Sequence, residues 1–255
     1  RKVVTNPLLL KDGQYEIDFE DFEEKAKGCK LFILCNPHNP GGRVWTKDEL
    51  ERLAAICLKH KVLMISDEIH ADLTLPPYQH TPLATLSKEV AENCVTFSSA
   101  SKTFNMAGLA SAYAVIPNAE IRQKFLDKTV GYMLTDGNVF AFQTTVAAYE
   151  QGEEWLSQLL SYIQGNIDFL TQYIDQHLPK VKYIVPQASY LIFLDFRQLG
   201  LSQKELVSLC TNQAHLALVD GSVFGKEGIG FMRINLASPR SVIEKAAEQL
   251  LVVSD

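Results

Sequence analysis

The stretch that decides the fold is Phe97-Ser98-Ser99-Ala100-Ser101-Lys102-Thr103-Phe104-Asn105, in which an apolar run ends in small hydroxyl residues and a single lysine. Two earlier stretches have the same form. One apolar run, 31–35, leads into Asn36-Pro37-His38-Asn39-Pro40-Gly41-Gly42, and another, 62–66, leads into Asp67-Glu68-Ile69-His70. In a parallel α/β sheet, the carboxyl ends of the strands form the crevice where ligands bind. The sequence therefore predicts that an amide, an acid and an amine meet at one sheet edge.

Composition and charge limit the class of protein and of partner. The chain has 255 residues, 47% hydrophobic and 21% charged, which is ordinary for a globular enzyme. A net charge of −6 without a basic run argues against a nucleic-acid partner. The sequence contains no apolar stretch long enough for a membrane span and no secretory leader pattern. Its five cysteines form no Cys-x-x-Cys pair, so we expect reduced thiols in a cytoplasmic protein and no metal site.

The first half of the chain reads as alternating strands and helices. A helix is predicted over 19–26, and the apolar run 31–35 is predicted to be a buried strand because it does not alternate. Thr46-Lys47-Asp48-Glu49 is a capping box that opens a helix over 47–60. The strand 62–66 follows directly. Strand, helix and strand at this spacing indicate a βαβ unit with a parallel pair.

Further elements complete a two-domain prediction. A short strand is expected at Val3-Val4, a turn at Asp12-Gly13, and a long amphipathic helix over 153–177. The other predicted helices are 83–90, 119–130, 139–149, 202–214 and 240–251, and the other predicted strands are 95–98, 182–185, 190–196, 217–219 and 231–236. The pattern predicts a large α/β domain over residues 1–151 and a small α+β domain with its linking helix over residues 152–255.

Lys102 is the sharpest candidate for chemistry. A lysine at a strand end in a crevice can act as a nucleophile that forms a Schiff base, although a lone lysine is more often a solvated loop residue. Ser99 and its neighbouring hydroxyl residues add a loop of backbone N–H groups able to hold a phosphate. Lysine and phosphate loop together indicate a pyridoxal phosphate site.

Two residues on the other strand ends support that interpretation. Asp67 ends an apolar strand, where a carboxylate needs a cation or hydrogen-bond donors, and the pyridine nitrogen of pyridoxal phosphate is such a partner. The alternative for Asp67 is a local turn or helix cap. Asn39 lies in a loop fixed by two Asn-Pro pairs and a double glycine, and it could direct an amide into the crevice or serve the turn alone.

For two more residues, His70 and Arg233, the sequence allows both a functional and a purely structural role. His70 could lie beside the cofactor ring or be an ordinary surface histidine. Arg233, in Gly230-Phe231-Met232-Arg233-Ile234-Asn235, is flanked by apolar residues on a predicted strand. A buried arginine needs an anion, and its geometry suits a carboxylate, but a structural ion pair would satisfy it equally.

The ordered motifs as a set resemble the class I/II aminotransferases of fold type I. Those motifs are Asn-Pro-His-Asn-Pro-Gly-Gly, Ser-Asp-Glu-Ile-His, Ser-x-Ser-Lys-Thr-Phe-Asn and Phe-x-Arg-Ile-Asn-Leu-Ala. Within that family they are similar to the cystathionine β-lyase (C–S lyase) branch typified by MalY and PatB. The resemblance implies a large domain with a mostly parallel sheet between helices and a small α+β domain. It also implies that the family's N-terminal third, with part of the cofactor site, is missing.

The resemblance assigns roles to the candidate residues. Lys102 matches the lysine that binds the cofactor, Asp67 the partner of the pyridine nitrogen, and Asn39 the amide at the cofactor's ring oxygen. Ser99 matches a phosphate ligand, and His70 falls where many aminotransferases carry a tyrosine at the same ring oxygen. Arg233 matches the arginine that binds the substrate α-carboxylate.

The activity implied by the resemblance is a pyridoxal-phosphate-dependent C–S β-lyase. It would cleave cystathionine or a cysteine S-conjugate to a thiol, pyruvate and ammonia, and it would be a homodimer. A class I/II aminotransferase is the first alternative, because both reactions share their opening steps. A regulatory protein that acts by binding a partner is the second alternative.

Overall fold

The computed structural model describes residues 1–134 and 137–253, which divide into two compact units. The first unit contains residues 1–8, 17–37 and 44–158. The second contains residues 9–16, 38–43 and the chain from 159 onward. The loop 38–43 therefore belongs to the second unit although its flanking residues belong to the first. The domain boundary between residues 151 and 152 stays a prediction.

The strands are short and mostly of three to five residues. They are β1 (Leu9–Lys11), β2 (Gln14–Glu16), β3 (Leu31–Cys35), β4 (Leu63–Asp67), β5 (Cys94–Ser98), β6 (Tyr113–Val115), β7 (Lys182–Ile184), β8 (Leu191–Asp195), β9 (Val219–Asp220) and β10 (Phe231–Asn235). The α-helices are α1 (Phe19–Ala26), α2 (Lys47–Lys59), α3 (Lys88–Glu92), α4 (Ala100–Thr103), α5 (Ala119–Gly131), α6 (Val139–Gln151), α7 (Glu153–His177), α8 (Gln203–Ser208) and α9 (Arg240–Gln249). Among the described residues, no helix is both long and apolar enough to cross a membrane.

The sheet of the first unit has the strand order β3-β4-β5-β6. Strands β3, β4 and β5 are parallel, and β6 pairs antiparallel to β5. The register places Cys35 beside Asp67, and Asp67 beside Phe97. The predicted parallel arrangement is confirmed, and the carboxyl ends of three strands lie at one sheet edge.

The capping box predicted at Thr46 is present and starts α2. The Thr46 main-chain N–H donates to Glu49 Oε2 at 2.7 Å, and the Glu49 N–H donates to Thr46 Oγ1 at 3.3 Å. The apolar face of the helix buries Leu50, Leu53 and Cys57. The helix ends at Lys59 with His60 as its cap, one residue before the predicted end.

The prediction that β3 is fully buried is wrong. Ile33 is 65% exposed and Leu31 is 39% exposed, whereas Leu34 is buried. An apolar run without alternation is typical of a strand covered on both faces. Leu31 and Ile33 lie on the same face of β3, and the described residues leave that face uncovered, so the composition of the strand does not match its exposure. Helices α5 and α6 also expose large apolar side chains. We call these residues the α5–α6 surface: Leu126, Val130, Val139, Phe140, Phe142 and Val146.

The second unit contains an antiparallel sheet of order β7-β8-β10-β9 and the β1–β2 hairpin. Its core includes Ile184, Phe193 and Phe231, against which Leu10 and Tyr15 of the hairpin pack. The predicted turn at Asp12-Gly13 is confirmed, since both residues have a positive φ. The predicted strand at Val3-Val4 is wrong because extended backbone forms a strand only where a partner pairs with it. That pairing occurs at 9–16 instead.

The helix predicted over 202–214 is interrupted. Regular α-helix ends at Ser208, and Leu209–Gln213 forms a wider π-helical turn in which the Ala214 N–H donates to the Leu209 carbonyl. The wider turn accompanies the full burial of Cys210. Packing in the core, which a local sequence pattern does not contain, explains the difference.

Candidate functional site

The first unit gathers four candidate residues at the carboxyl edge of its parallel sheet. Strand β4 ends at Asp67, and His70 follows three residues later. Strand β5 ends at Ser98, and Ser99 caps the short helix α4, which carries Lys102. Because β4 and β5 are neighbouring parallel strands, Asp67 and Lys102 leave the sheet at the same edge.

Asp67 combines a local hydrogen bond with an open oxygen. Its Oδ1 accepts from the Ile69 N–H at 3.2 Å, which is the local turn bond considered as the alternative. Its main-chain carbonyl accepts from the Asn36 N–H at 3.0 Å, which holds the end of β4 beside the end of β3. In the part of the chain that the structure describes, Oδ2 has no hydrogen-bond partner. The local bond therefore orients the carboxylate and leaves one oxygen for a donor.

Glu68, the next residue, faces the interior and is fully engaged. Its Oε1 accepts from Ser66 Oγ at 2.8 Å and from the Leu83 N–H at 3.0 Å. Its Oε2 lies 3.0 Å from Nε2 of His80. Both the Glu68 and the His80 side chains are almost completely buried. Glu68 therefore has a structural role: it ties the segment after β4 to residues 80–83.

His70 is buried, so the alternative of a surface histidine is wrong. Only 4% of the residue is exposed. Two residues on, Asp72 Oδ2 accepts from Thr103 Oγ1 at 3.1 Å and from the Tyr149 hydroxyl at 3.5 Å. Thr103 is fully buried and directly follows Lys102. This contact joins the segment after Asp67 to the helix that carries the lysine, and nothing in the local sequence pattern signals it.

Lys102 lies in a helical turn and is partly buried. Within residues 1–134 and 137–253, its ammonium group makes no hydrogen bond and no ion pair. Among the described residues, some surface lysines are paired, such as Lys124 with Glu120 at 2.6 Å, and others, such as Lys88, are not. An amine without a fixed partner at a sheet edge is free to react with a ligand.

Ser99 is buried and holds the start of α4. Its Oγ accepts from the Ser101 N–H at 3.0 Å, lies 2.7 Å from Ser101 Oγ, and donates to the Ser111 carbonyl. The hydroxyl predicted to bind phosphate therefore already has internal partners. Its phosphate role stays a prediction.

The second unit brings together the other two candidates, which are far apart in sequence. Arg233, on β10, donates from one terminal nitrogen to Asn39 Oδ1 at 2.8 Å. Its Nε is buried and has no hydrogen-bond partner among residues 1–134 and 137–253. No acidic side chain among the described residues pairs with Arg233, so the ion-pair alternative is not observed. Burial lowers the pKa of the guanidinium, and an anion at Nε would complete its hydrogen bonds.

The loop that carries Asn39 is held tightly. Arg43 donates from Nε to the Tyr15 carbonyl at 3.1 Å and from a terminal nitrogen to Gln187 Oε1 at 3.1 Å. Gly42 has a φ of +67°, and a Cβ there would lie 2.6 Å from Pro186 Cβ. These contacts fix the loop on the second unit and thereby fix Asn39 beside Arg233.

His38, in the same loop, predicts an acid-sensitive stability. Its Nδ1 is buried, and burial lowers the pKa of His38 to about 4 from an ordinary 6.5. Because the unfolded chain takes up a proton at higher pH than the folded chain, stability present above pH 6.5 is lost as the pH falls towards 4. We expect His38→Asn to reduce this loss by about 2–3 kcal/mol in urea unfolding at pH 7 and pH 4.5. The exposed His215→Asn is the matched control, and an unchanged loss in His38→Asn would contradict the expectation.

Comparison with known proteins gives a consistent family. The aminotransferase class I and II model matches residues 2–250. Cystathionine beta-lyase PatB of Bacillus subtilis (strain 168) is 42% identical over 252 residues, which cover 98% of this chain and 65% of PatB. The chain thus spans about two thirds of the length of that relative.

Solved structures agree with the sequence comparison. Cystalysin from Treponema denticola, whose crystal structure contains a pyridoxal 5'-phosphate cofactor, has a TM-score of 0.95 and 36% identity, over 100% of this chain and 65% of its own. The PLP-bound C-S lyase from Staphylococcus hominis has a TM-score of 0.90 and 32% identity, over 98% of this chain and 64% of its own. The predicted fold class is confirmed.

Proposed function

The chain belongs to the aminotransferase class I and II family, and from that premise we propose that it carries the catalytic part of a pyridoxal-phosphate-dependent C–S β-lyase. The substrate class is a sulfur amino acid, cystathionine or a cysteine S-conjugate, which with one water molecule gives a thiol, pyruvate and ammonia. The proposal is supported by relatives that are named as a cystathionine beta-lyase and a C-S lyase. Its main structural support is that Lys102 and Asp67 follow neighbouring parallel strands at one sheet edge.

The residues present fit a bound pyridoxal phosphate. Lys102 offers an unpaired amine, and Asp67 offers an open carboxylate oxygen. Asn39, His70 and Ser99 are proposed as further cofactor ligands, at the ring oxygen and the phosphate. When bound, the cofactor serves as an electron sink for a carbanion at the substrate Cα.

Each of the chain's own residues has a defined task in this proposal. Lys102 would hold the cofactor covalently, and its amine would serve as the general base for the substrate α-proton. Asp67 would accept a hydrogen bond from the ring nitrogen of the cofactor and would favour its protonated form. Arg233 binds the substrate carboxylate through the donors that Asn39 leaves open.

The experiment that tests the proposal is an assay with cystathionine and no added 2-oxo acid. We expect pyruvate and a thiol to be released with each turnover. An aminotransferase would instead require an acceptor, because the amino group must leave the cofactor before the next cycle. Strict dependence of product formation on an added 2-oxo acid would contradict the lyase assignment.

A second copy of the chain is the proposed partner. The α5–α6 surface exposes large apolar residues, Phe140 at 70% and Phe142 at 57% among them. Exposed large apolar residues in such numbers are typical of a surface that another chain covers. We expect sedimentation to give twice the mass of one chain, and Phe140→Glu to shift the protein to single copies. Gln143→Glu, exposed on the same helix, is the control; a single-copy mass for the unaltered protein would contradict the proposal.

A reducing compartment, the cytoplasm, is the proposed location. None of the five cysteines forms a disulfide in the part of the chain that the structure describes. Burial raises the pKa of Cys57 to about 12 and that of Cys94 and Cys210 to about 11, so these three stay protonated and unreactive. Free thiols are typical of proteins that function where glutathione keeps cysteines reduced.

A further inference from the structure

The segment 221–230, which we call the glycine loop, is fixed by close backbone contacts. A Cβ on Gly221 would lie 2.9 Å from the Phe231 carbonyl carbon, and a Cβ on Gly228 would lie 2.6 Å from the Gly221 carbonyl carbon. Gly225 has a φ of +120°, which a residue with a side chain rarely adopts. The glycine loop therefore has a defined path next to β10.

Phe224 is the aromatic residue that this loop presents. Its ring packs perpendicular to Phe193, with centroids 6.0 Å apart, and Phe193 in turn stacks on Phe231 at 4.6 Å. Both of those residues belong to the core of the second unit. The Phe224 ring remains 37% exposed, so one side is held by the core and the other reaches solvent.

The exposed aromatic ring lies on the arginine proposed to bind substrate. Arg233 Cζ lies 4.9 Å from the centroid of the Phe224 ring. One terminal nitrogen of Arg233 is bound to Asn39, and Nε is buried. Among the described residues, Nε and the second terminal nitrogen, which lie on one edge of the guanidinium, make no hydrogen bond. Two parallel donors in one plane match the two oxygens of a carboxylate.

We propose that Phe224 is a positioning residue for Arg233, which holds the guanidinium plane so that it binds a carboxylate through this one edge. The inference rests on the proposed function only for the identity of the carboxylate, namely that of the amino-acid substrate. The glycine loop supplies the rigidity, because it holds the ring at a fixed distance from β10. Phe224 thus contributes to substrate affinity without contacting the reacting atoms.

The test compares Phe224→Leu, Phe224→Tyr and Val223→Ala in the purified holoenzyme. Leucine keeps apolar volume but has no aromatic face, and tyrosine keeps that face. Val223, the residue before Phe224, is 68% exposed and has no aromatic ring to place on Arg233. We expect Phe224→Leu to raise KM for cystathionine by about 2- to 30-fold, the range of a cation–π contact, with kcat within about twofold. Phe224→Tyr and Val223→Ala should keep the original KM.

A second readout separates this inference from the lyase proposal. The dissociation constant of propionate, a plain carboxylate probe, is measured by NMR titration in the same variants and in Arg233→Gln. We expect Phe224→Leu to weaken propionate binding by the same factor as KM and Arg233→Gln to abolish it, whether or not the protein turns over cystathionine. Unchanged propionate binding in Phe224→Leu, or equal loss in Phe224→Tyr, would overturn the inference. So would a fall in kcat and melting temperature with unchanged KM.

Discussion

Replacement of Lys102 by alanine is expected to reduce pyruvate release from cystathionine by at least about 10²–10⁴-fold, the contribution of a positioned general base alone. The reason is that the substitution removes the amine that is proposed to take the α-proton. In the described residues, Lys102 is a partly buried amine without an ion pair at the sheet edge that also carries Asp67. The loss should exceed the base contribution, because the same amine also binds the cofactor.

Chemical labelling identifies the lysine that binds the cofactor. Borohydride reduction followed by peptide mass mapping should leave a pyridoxyl adduct on the peptide that contains Lys102, and Lys102→Ala should lack it. Lys88→Ala, at an exposed position on α3, is the matched control and should keep both the adduct and the activity. An adduct that persists in Lys102→Ala would place the cofactor on another lysine and would falsify the assignment.

The same variant separates catalysis from regulation by partner binding. A regulatory protein uses its surface, whereas Lys102 lies on a short helix held from within by the Asp72–Thr103 hydrogen bond. Lys102→Ala should therefore abolish turnover and leave partner binding largely intact. If binding to a partner and turnover disappeared together, the two activities would share this site.

The strand ends were predictable because the signals at those positions are local. An apolar run that stops at Asp67 or at Ser98 marks both the strand and the residue that leaves it. The capping box at Thr46 likewise depends on residues only three positions apart. Local signals of this kind are sufficient to predict a parallel sheet and its carboxyl edge.

The interactions that the sequence did not reveal are long-range. Arg233 binds Asn39 across 194 positions, and no pattern at either residue indicates the other. The exposure of Ile33 has the same origin, because its apolar neighbours are those of a covered strand and only the tertiary structure shows which face of β3 is covered. Composition predicts that a residue is suited to burial, whereas the rest of the fold decides whether it is buried.

Glu68→Ala is expected to give the largest loss of stability, about 3–5 kcal/mol. The substitution leaves three buried donors without an acceptor: Ser66 Oγ, the Leu83 N–H and His80 Nε2. An unsatisfied buried donor costs about 1–3 kcal/mol, and domains of this kind are stable by only about 5–15 kcal/mol. The change should therefore bring the first unit close to unfolding at room temperature.

The network around Glu68 also predicts a graded response that distinguishes lost hydrogen bonds from lost volume. Glu68→Gln keeps an oxygen for Ser66 and Leu83 but points an amide donor at His80, so its loss should be smaller than that of Glu68→Ala. Nδ1 of His80 is buried without a partner, so the imidazole has no second bond to compensate. Urea unfolding gives the free energy of unfolding of the unaltered protein, Glu68→Ala and Glu68→Gln. The exposed Glu92→Ala is the control. Equal losses in Glu68→Gln and Glu92→Ala would show that the buried carboxylate does not hold residues 80–83 to the end of β4.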